Sequence, residues 1–167
     1  MGERARGRLR EVVLADARLA EGVALAHLLP ALPGLLGADR PRTYLLLAQN
    51  NEELRATGGF ISGVGAVTFA AGELASLSFR DSYAVDDLSK PHPPAPANLA
   101  RHMGADYLVL RDANWAPDFP SSAQVIASLY QLDQGVGVDG VVAWDLHIIG
   151  DLLRALGPLR VEGYAEE

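Results

Sequence analysis

Arg111, Asp112, Asn114 and Asp118 crowd around one large aromatic, Trp115, in a stretch that also holds Pro117 and Pro120. Each proline fixes its own φ near about −65° and restricts the residue before it, so these polar groups ride on a stiff backbone. Pro120-Ser121-Ser122 leads into an apolar-periodic run over residues 123–132, whose spacing predicts a helix capped by Ser121 or Ser122. A helix start would place free N–H groups beside acidic and basic side chains. Guanidiniums suit phosphate oxygens and carboxylates suit Mg²⁺, so the stretch is a candidate anion and cation site. The same residues also suit a tied structural loop, with Trp115 as a core plug and Arg111 paired to a carboxylate.

A second Arg-Asp pair, Arg80-Asp81, has the same form as Arg111-Asp112. Both follow runs that read as extended, 76–79 and 107–110. Neighbours on a strand point to opposite faces, so neither pair should neutralise itself. Each charge then needs an outside partner. That partner is a cross-pair (Arg80 with Asp112, or Arg111 with Asp81) or a ligand that takes the arginines by phosphate and the carboxylates by Mg²⁺. A third cluster is Glu53-Leu54-Arg55-Ala56-Thr57-Gly58-Gly59-Phe60. Its glycines permit close backbone approach, with Arg55 and Thr57 placed for an anion; the alternative is a plain turn or bulge before a strand.

Other chemistries are excluded or weak. Cysteine is absent, which removes disulfides, thiolate catalysis and cysteine-held zinc. The four histidines, at 27, 92, 102 and 147, lack metal-ligand spacing. The glycine pair lacks the Lys-Ser/Thr of a phosphate-binding P-loop, and no dinucleotide fingerprint is present. Ser62-Gly63-Val64-Gly65 lacks the flanks of a nucleophile elbow, and Asp86-Asp87 reads as a solvated loop pair.

Charge is unevenly spread. Residues 1–42 hold seven Arg against five acids, net +2, whereas 43–167 hold six Arg and one Lys against sixteen acids, net −9. A body so acidic, without a basic stripe, does not attract nucleic acid, and any bound anion must rest on individual arginines. No run of about 18 apolar residues is present to span a membrane, and no apolar segment of a secretory signal follows the basic Met1–Arg10.

The elements that position these residues can be read from periodicity. Residues 7–29 show helical spacing ended by Pro30 and Pro33, and 34–41 read as a linker. The short apolar run 43–49 predicts a strand buried on both faces. Residues 60–80 predict a hairpin turning at 70–73, followed by a long loop over 81–96. A short helix is expected over 97–103, a strand over 138–144, a helix over 145–156 and a strand start at 159–161, with Gly157-Pro158 between the last two. This order implies an α/β fold, a layered α-β-α sheet domain over 43–167, preceded by an N-terminal helix and linker over 1–42.

Two stretches resemble a family of bacterial envelope proteins that carry a domain of unknown function. They are Tyr44 to Gln49-Asn50 with Arg55 and Thr57-Gly58-Gly59-Phe60, and Arg111-Asp112 to Asn114-Trp115 with Pro117-Asp118-Phe119-Pro120. With Val138-Asp139-Gly140-Val141 and Leu156-Gly157-Pro158, the resemblance covers about residues 40–162. At a further remove, Phe79-Arg80-Asp81-Ser82 and Gly137-Val138-Asp139 are similar to motifs of the LytR-CpsA-Psr family. Its members look like extracytoplasmic Mg²⁺-dependent phosphotransferases that act on polyprenyl-pyrophosphate-linked glycopolymers. The usual early aspartate of that family is replaced here by Gly58-Gly59, and its later arginine-rich motif would fall beyond residue 167.

That resemblance implies Arg80, Asp81 and Arg111 as the catalytic group. Arg55, Asn114 and Trp115 would contact ligand, and Asp81, Asp112 and Asp118 would hold Mg²⁺. It also implies an extracytoplasmic location, with a membrane anchor in the full-length protein outside this otherwise soluble chain. A non-catalytic structural or interaction module of the envelope, using the Arg-Asp pairs as internal ion pairs, is the alternative.

Overall fold

The computed structural model describes residues 29–157. The helix expected over 7–29, apart from its last residue, and the strand start at 159–161 lie outside the described residues. The chain divides into two compact units, one of residues 1–42 with 69–73, the other of 43–68 with 74–167.

In the first unit, α1 (Leu32–Leu35) carries Pro33 in its first turn. That proline was expected to stop a helix; it opens one instead, because the missing N–H falls where no intrahelical partner exists. The Ala71 and Gly72 N–H groups donate to Gly37 O and Leu36 O, each at 2.9 Å. Gly37 has φ +77°, and a Cβ there would run into the Phe69 backbone, so this contact requires glycine.

The strands form a four-stranded mixed sheet in the order β3-β2-β1-β4, with β1 (Arg42–Asn50), β2 (Phe60–Ala70), β3 (Glu73–Asp81) and β4 (Gly140–Asp145). β1 and β4 run parallel, from Tyr44 opposite Gly140 to Gln49 opposite Asp145. β2 runs against β1, since Thr43 meets the Thr68 hydroxyl at 3.0 Å while Ser62 Oγ donates to Ala48 O at 3.2 Å. The expected hairpin is present. Its turn, Ala71-Gly72, has φ of +52° and +83°, the twist that suits a two-residue hairpin loop.

β1 is buried on one face only. Leu45, Leu47 and Gln49 are buried, whereas Tyr44, Leu46 and Ala48 stay partly exposed, so burial on both faces does not hold. The covering element is α3 (Phe119–Gln134), whose Ile126 and Leu129 join Leu45, Leu47, Val64 and Leu110 in the core. On the other face Phe79 of β3 lies over Gly63 and stacks on Trp144, ring centroids 6.5 Å apart. α2 (Ala97–Met103) has the predicted bounds, and α4 (Leu146–Leu156) starts one residue later than expected because Asp145 serves as its N-cap. β4 likewise begins at Gly140 rather than 138. Among the described residues, no helix is long and apolar enough to cross a membrane.

Two local expectations fail in ways that matter for the site. Residues 107–110 are not a strand: Tyr107 makes one antiparallel bridge to Pro94, and Leu110–Asp112 then form a 3-10 turn. The cap of α3 is Asp118, not Ser121 or Ser122; its carboxylate accepts from Ser121 N at 2.9 Å and from the Ser121 hydroxyl. Pro120 then sits in the first turn, where proline is tolerated. Ser122 is buried and donates to Ala116 O at 2.9 Å.

Candidate functional site

The Arg111 environment follows from that 3-10 turn. Its guanidinium pairs with Asp86 Oδ2 and lies 4.4 Å above the Tyr83 ring. The turn also brings Arg111 Nε to 3.9 Å from Asp112 Oδ2, an approach that strand alternation would have forbidden. Asp86 Oδ1 accepts the Leu110 N–H at 2.9 Å. Burial raises the Asp86 pKa above its ordinary 3.8, more than the Arg111 charge and the Leu110 N–H lower it, and the nearby Asp133 adds to the rise.

Arg80, at the end of β3 as expected, donates to Gln134 Oε1 at 3.0 Å and to Ala84 O. Gln134 Nε2 in turn donates to Val85 O at 2.6 Å. Asp81 caps the 3-10 turn Ser82–Ala84 by accepting Tyr83 N at 2.8 Å. The cross-pairs expected from sequence do not form. Arg80 and Arg111 instead hold the same loop, one through Ala84 and the other through Tyr83 and Asp86.

Arg55 joins this group from the loop between β1 and β2. Its side chain is only 9 % exposed, 3.0 Å from Glu53 and 3.6 Å from Asp112, with its guanidinium 5.1 Å over Phe60. Asp112 therefore stands between Arg55 and Arg111, and Phe60 meets Tyr83 at 6.3 Å beneath them. Gly59 passes so close to Asn50 that any Cβ would strike its backbone. Asn114, fully buried, donates Nδ2 to Gly59 O at 2.7 Å, and among the described residues its Oδ1 has no partner. Asn114 thus fastens the second sequence stretch beneath the glycine pair of the first.

Two hollows flank the loop at Ala56. One, of about 360 Å³, is lined by Leu54, Arg55, Ala56, Met103 and the half-buried Trp115. The other, of about 430 Å³, is lined by Gln49, Ala56, Thr57, Pro117, Phe119 and Ala143 at the carboxyl ends of β1 and β4. Trp115 is thus a wall of a surface hollow rather than a core plug.

The three expected cation ligands have separate employments. Asp81 caps a 3-10 turn, Asp118 caps α3, and Asp112 serves two arginines. Hydrogen bonds from Ser121 lower the pKa of Asp118. Among the described residues no three His, Asp or Glu side chains converge as metal ligands.

The sequence reading missed a buried pair. His92 Nε2 lies 3.0 and 3.2 Å from the two oxygens of Asp133, and both side chains are almost wholly buried. A signal was available: Ile126, Leu129 and Asp133 share one helical stripe, and a carboxylate on a core-facing stripe requires a partner.

Residues 39–166 match the family described as a protein of unknown function, DUF4012, and the chain belongs to that family. Comparison with curated proteins and with solved structures gives no match.

Proposed function

We propose that this DUF4012 domain works outside the cytoplasm, in the cell envelope, where it binds a pyrophosphate-linked polyprenyl lipid or glycopolymer on a layered fold of the LytR-CpsA-Psr kind. The observation that carries the reading is an apolar hollow beside paired guanidiniums. Leu54, Met103 and Trp115 line the hollow, Arg55 contributes to it, and Arg55 shares Asp112 with Arg111. An isoprenoid chain needs the first feature and phosphate oxygens need the second. Exchange of the Asp112 carboxylate for a phosphate oxygen would keep both guanidiniums neutralised.

In the full-length, membrane-anchored protein, Arg80, Asp81 and Arg111 would act on the transferring phosphoryl group, while Arg55, Asn114 and Trp115 position the ligand. Mg²⁺ belongs to this proposal as a cation that arrives on the pyrophosphate. No step is assigned to it.

The test is thermal unfolding with a long-chain polyprenyl pyrophosphate, with and without Mg²⁺. Ligand at about 100 times its Kd stabilises by roughly 2.7 kcal/mol, or about 5–10 °C for a chain of this size. The shift should disappear in Leu54→Glu, which alters a side chain 83 % exposed and leaves the fold intact. No shift at any lipid concentration would favour the second reading, a non-catalytic envelope module. One observation supports that alternative: Arg80 and Arg111 are both engaged by groups of this chain.

A further inference from the structure

The geometry points to a second subsite: we propose that the hollow at the carboxyl ends of β1 and β4 takes a neutral, hydroxyl-rich ring, one sugar residue of a bound glycan. The inference deepens the reading of an envelope ligand-binding domain and rests on it for the source of the sugar, but the site itself stands on four observations.

The hollow has the right place. The crevice outside the carboxyl ends of parallel strands is where open α/β sheets hold ligands, and Gln49 opposite Asp145 ends the parallel pairing of β1 and β4. Its size, about 430 Å³, falls within the roughly 300–1,000 Å³ of small-molecule pockets.

Its polar groups are neutral and incompletely used. Gln49 is 5 % exposed and gives Nε2 to Thr57 Oγ1 at 2.9 Å. Among the described residues no donor reaches Gln49 Oε1. Thr57 Oγ1 accepts from Gln49, which leaves its hydroxyl hydrogen free. An amide oxygen with no donor and a free hydroxyl donor thus stand side by side, the complement of adjacent sugar hydroxyls. Among the described residues no charged side chain contributes to the lining, so a phosphate would find no counter-charge from them here.

Its remaining walls are apolar. Phe119, Pro117 and Ala143 suit the C–H face of a ring while Gln49 and Thr57 meet its edge. Ala56 is the wall shared with the Trp115 hollow, and it is exposed. One amphipathic ligand can therefore lie across Ala56, with its apolar part toward Trp115 and its sugar toward Gln49.

Saturation-transfer NMR on the 167-residue chain tests this, with methyl glycosides of glucose, rhamnose and N-acetylglucosamine as probes and inorganic pyrophosphate as an anionic control. At least one glycoside should receive saturation. Thr57→Val, which removes a hydroxyl at constant volume, should weaken it about tenfold, and Ala56→Trp, which fills the ridge between the hollows, should abolish it. Circular dichroism confirms that both variants fold. No transfer to any glycoside, or transfer indifferent to both substitutions, overturns the subsite. The lipid reading fails separately: glycosides that bind while polyprenyl pyrophosphate gives no thermal shift would sink the lipid and keep the sugar.

Discussion

Arg111 and Asp86 form a pair whose two halves are unequally buried, 20 % exposed on the arginine side and 1 % on the carboxylate side. Arg111→Met would leave a buried carboxylate without its counter-charge, whereas Asp86→Asn would leave an arginine that still reaches water and Asp112. Breaking a buried pair costs about 3–5 kcal/mol when a charge is stranded. Urea unfolding at pH 7 should therefore show that loss for Arg111→Met and a clearly smaller one for Asp86→Asn. The pH dependence follows from the raised Asp86 pKa. An acid whose folded pKa lies above its unfolded value favours the fold when protonated, and that contribution fades as pH rises through the folded value. The Arg111→Met penalty should accordingly shrink on acidification toward pH 4; a penalty constant with pH would mean that Asp86 is not the stranded group. The cap carboxylates Asp118 and Asp145 behave oppositely. Hydrogen bonds from Ser121 and from His147 lower their pKa values below 3.8, so their contribution is present above that value and lost as pH falls through the folded one. Asp118→Ala should lower the stability at pH 7 and lower it less at pH 2.

At the level of elements, the loop over 81–96 is long but not loose. Lys90 Nζ donates to Leu132 O at 3.0 Å, His92 holds Asp133, and Gln134 holds Val85, so the last turn of α3 clasps the loop at three points. His92 Nδ1 faces Lys90 O at 3.1 Å, an atom that only accepts. Both ring nitrogens therefore face oxygen atoms of this chain. His92→Ala should cost about 3–5 kcal/mol and speed proteolytic cutting within 81–96; a variant as stable and as resistant as the parent would show the clasp to be idle. Another element-scale device is the fit of β3 on β2. A Cβ on Gly63 would lie 2.6 Å from the Phe79 ring, and nothing else crowds it. Gly63→Ala should cost about 1 kcal/mol as Phe79 swings away from Trp144, and nothing in a Phe79→Ala background, a coupling that a double-mutant cycle measures.

These elements also show what periodicity can and cannot carry. The hairpin and the helix Ala97–Met103 were legible because apolar alternation and Gly-Pro punctuation are local. The Arg111 neighbourhood was not, since four extended-looking residues give no sign that the next three wind into a 3-10 turn. Seeing which residues come together was easier than seeing how. Arg55, Arg111, Asp112 and Asn114 do share one neighbourhood, but through Asp112 and the Gly59 carbonyl rather than through cross-paired strand ends.

For the whole molecule, the open question is what its apolar surfaces meet. Two apolar surfaces lie open: Leu77 and Phe79 of β3 are 60 % and 52 % exposed, and α4 has no buried residue although Leu152, Leu153 and Leu156 fall on one stripe. A helical period in the sequence reports a face and not the surface opposite it. Soluble domains rarely expose contiguous apolar patches beyond a few hundred Å² unless something docks there. Leu152→Glu with Leu156→Glu tests the state of this face in solution. Glutamate is a good helix former, so if α4 is as exposed as it stands, the pair should change stability by less than about 0.5 kcal/mol each. The same variant should lower the fluorescence of a hydrophobic dye and any self-association in sedimentation. A loss of about 2 kcal/mol or more would show that α4 is covered by other parts of this chain, and would remove its face as a surface for partners.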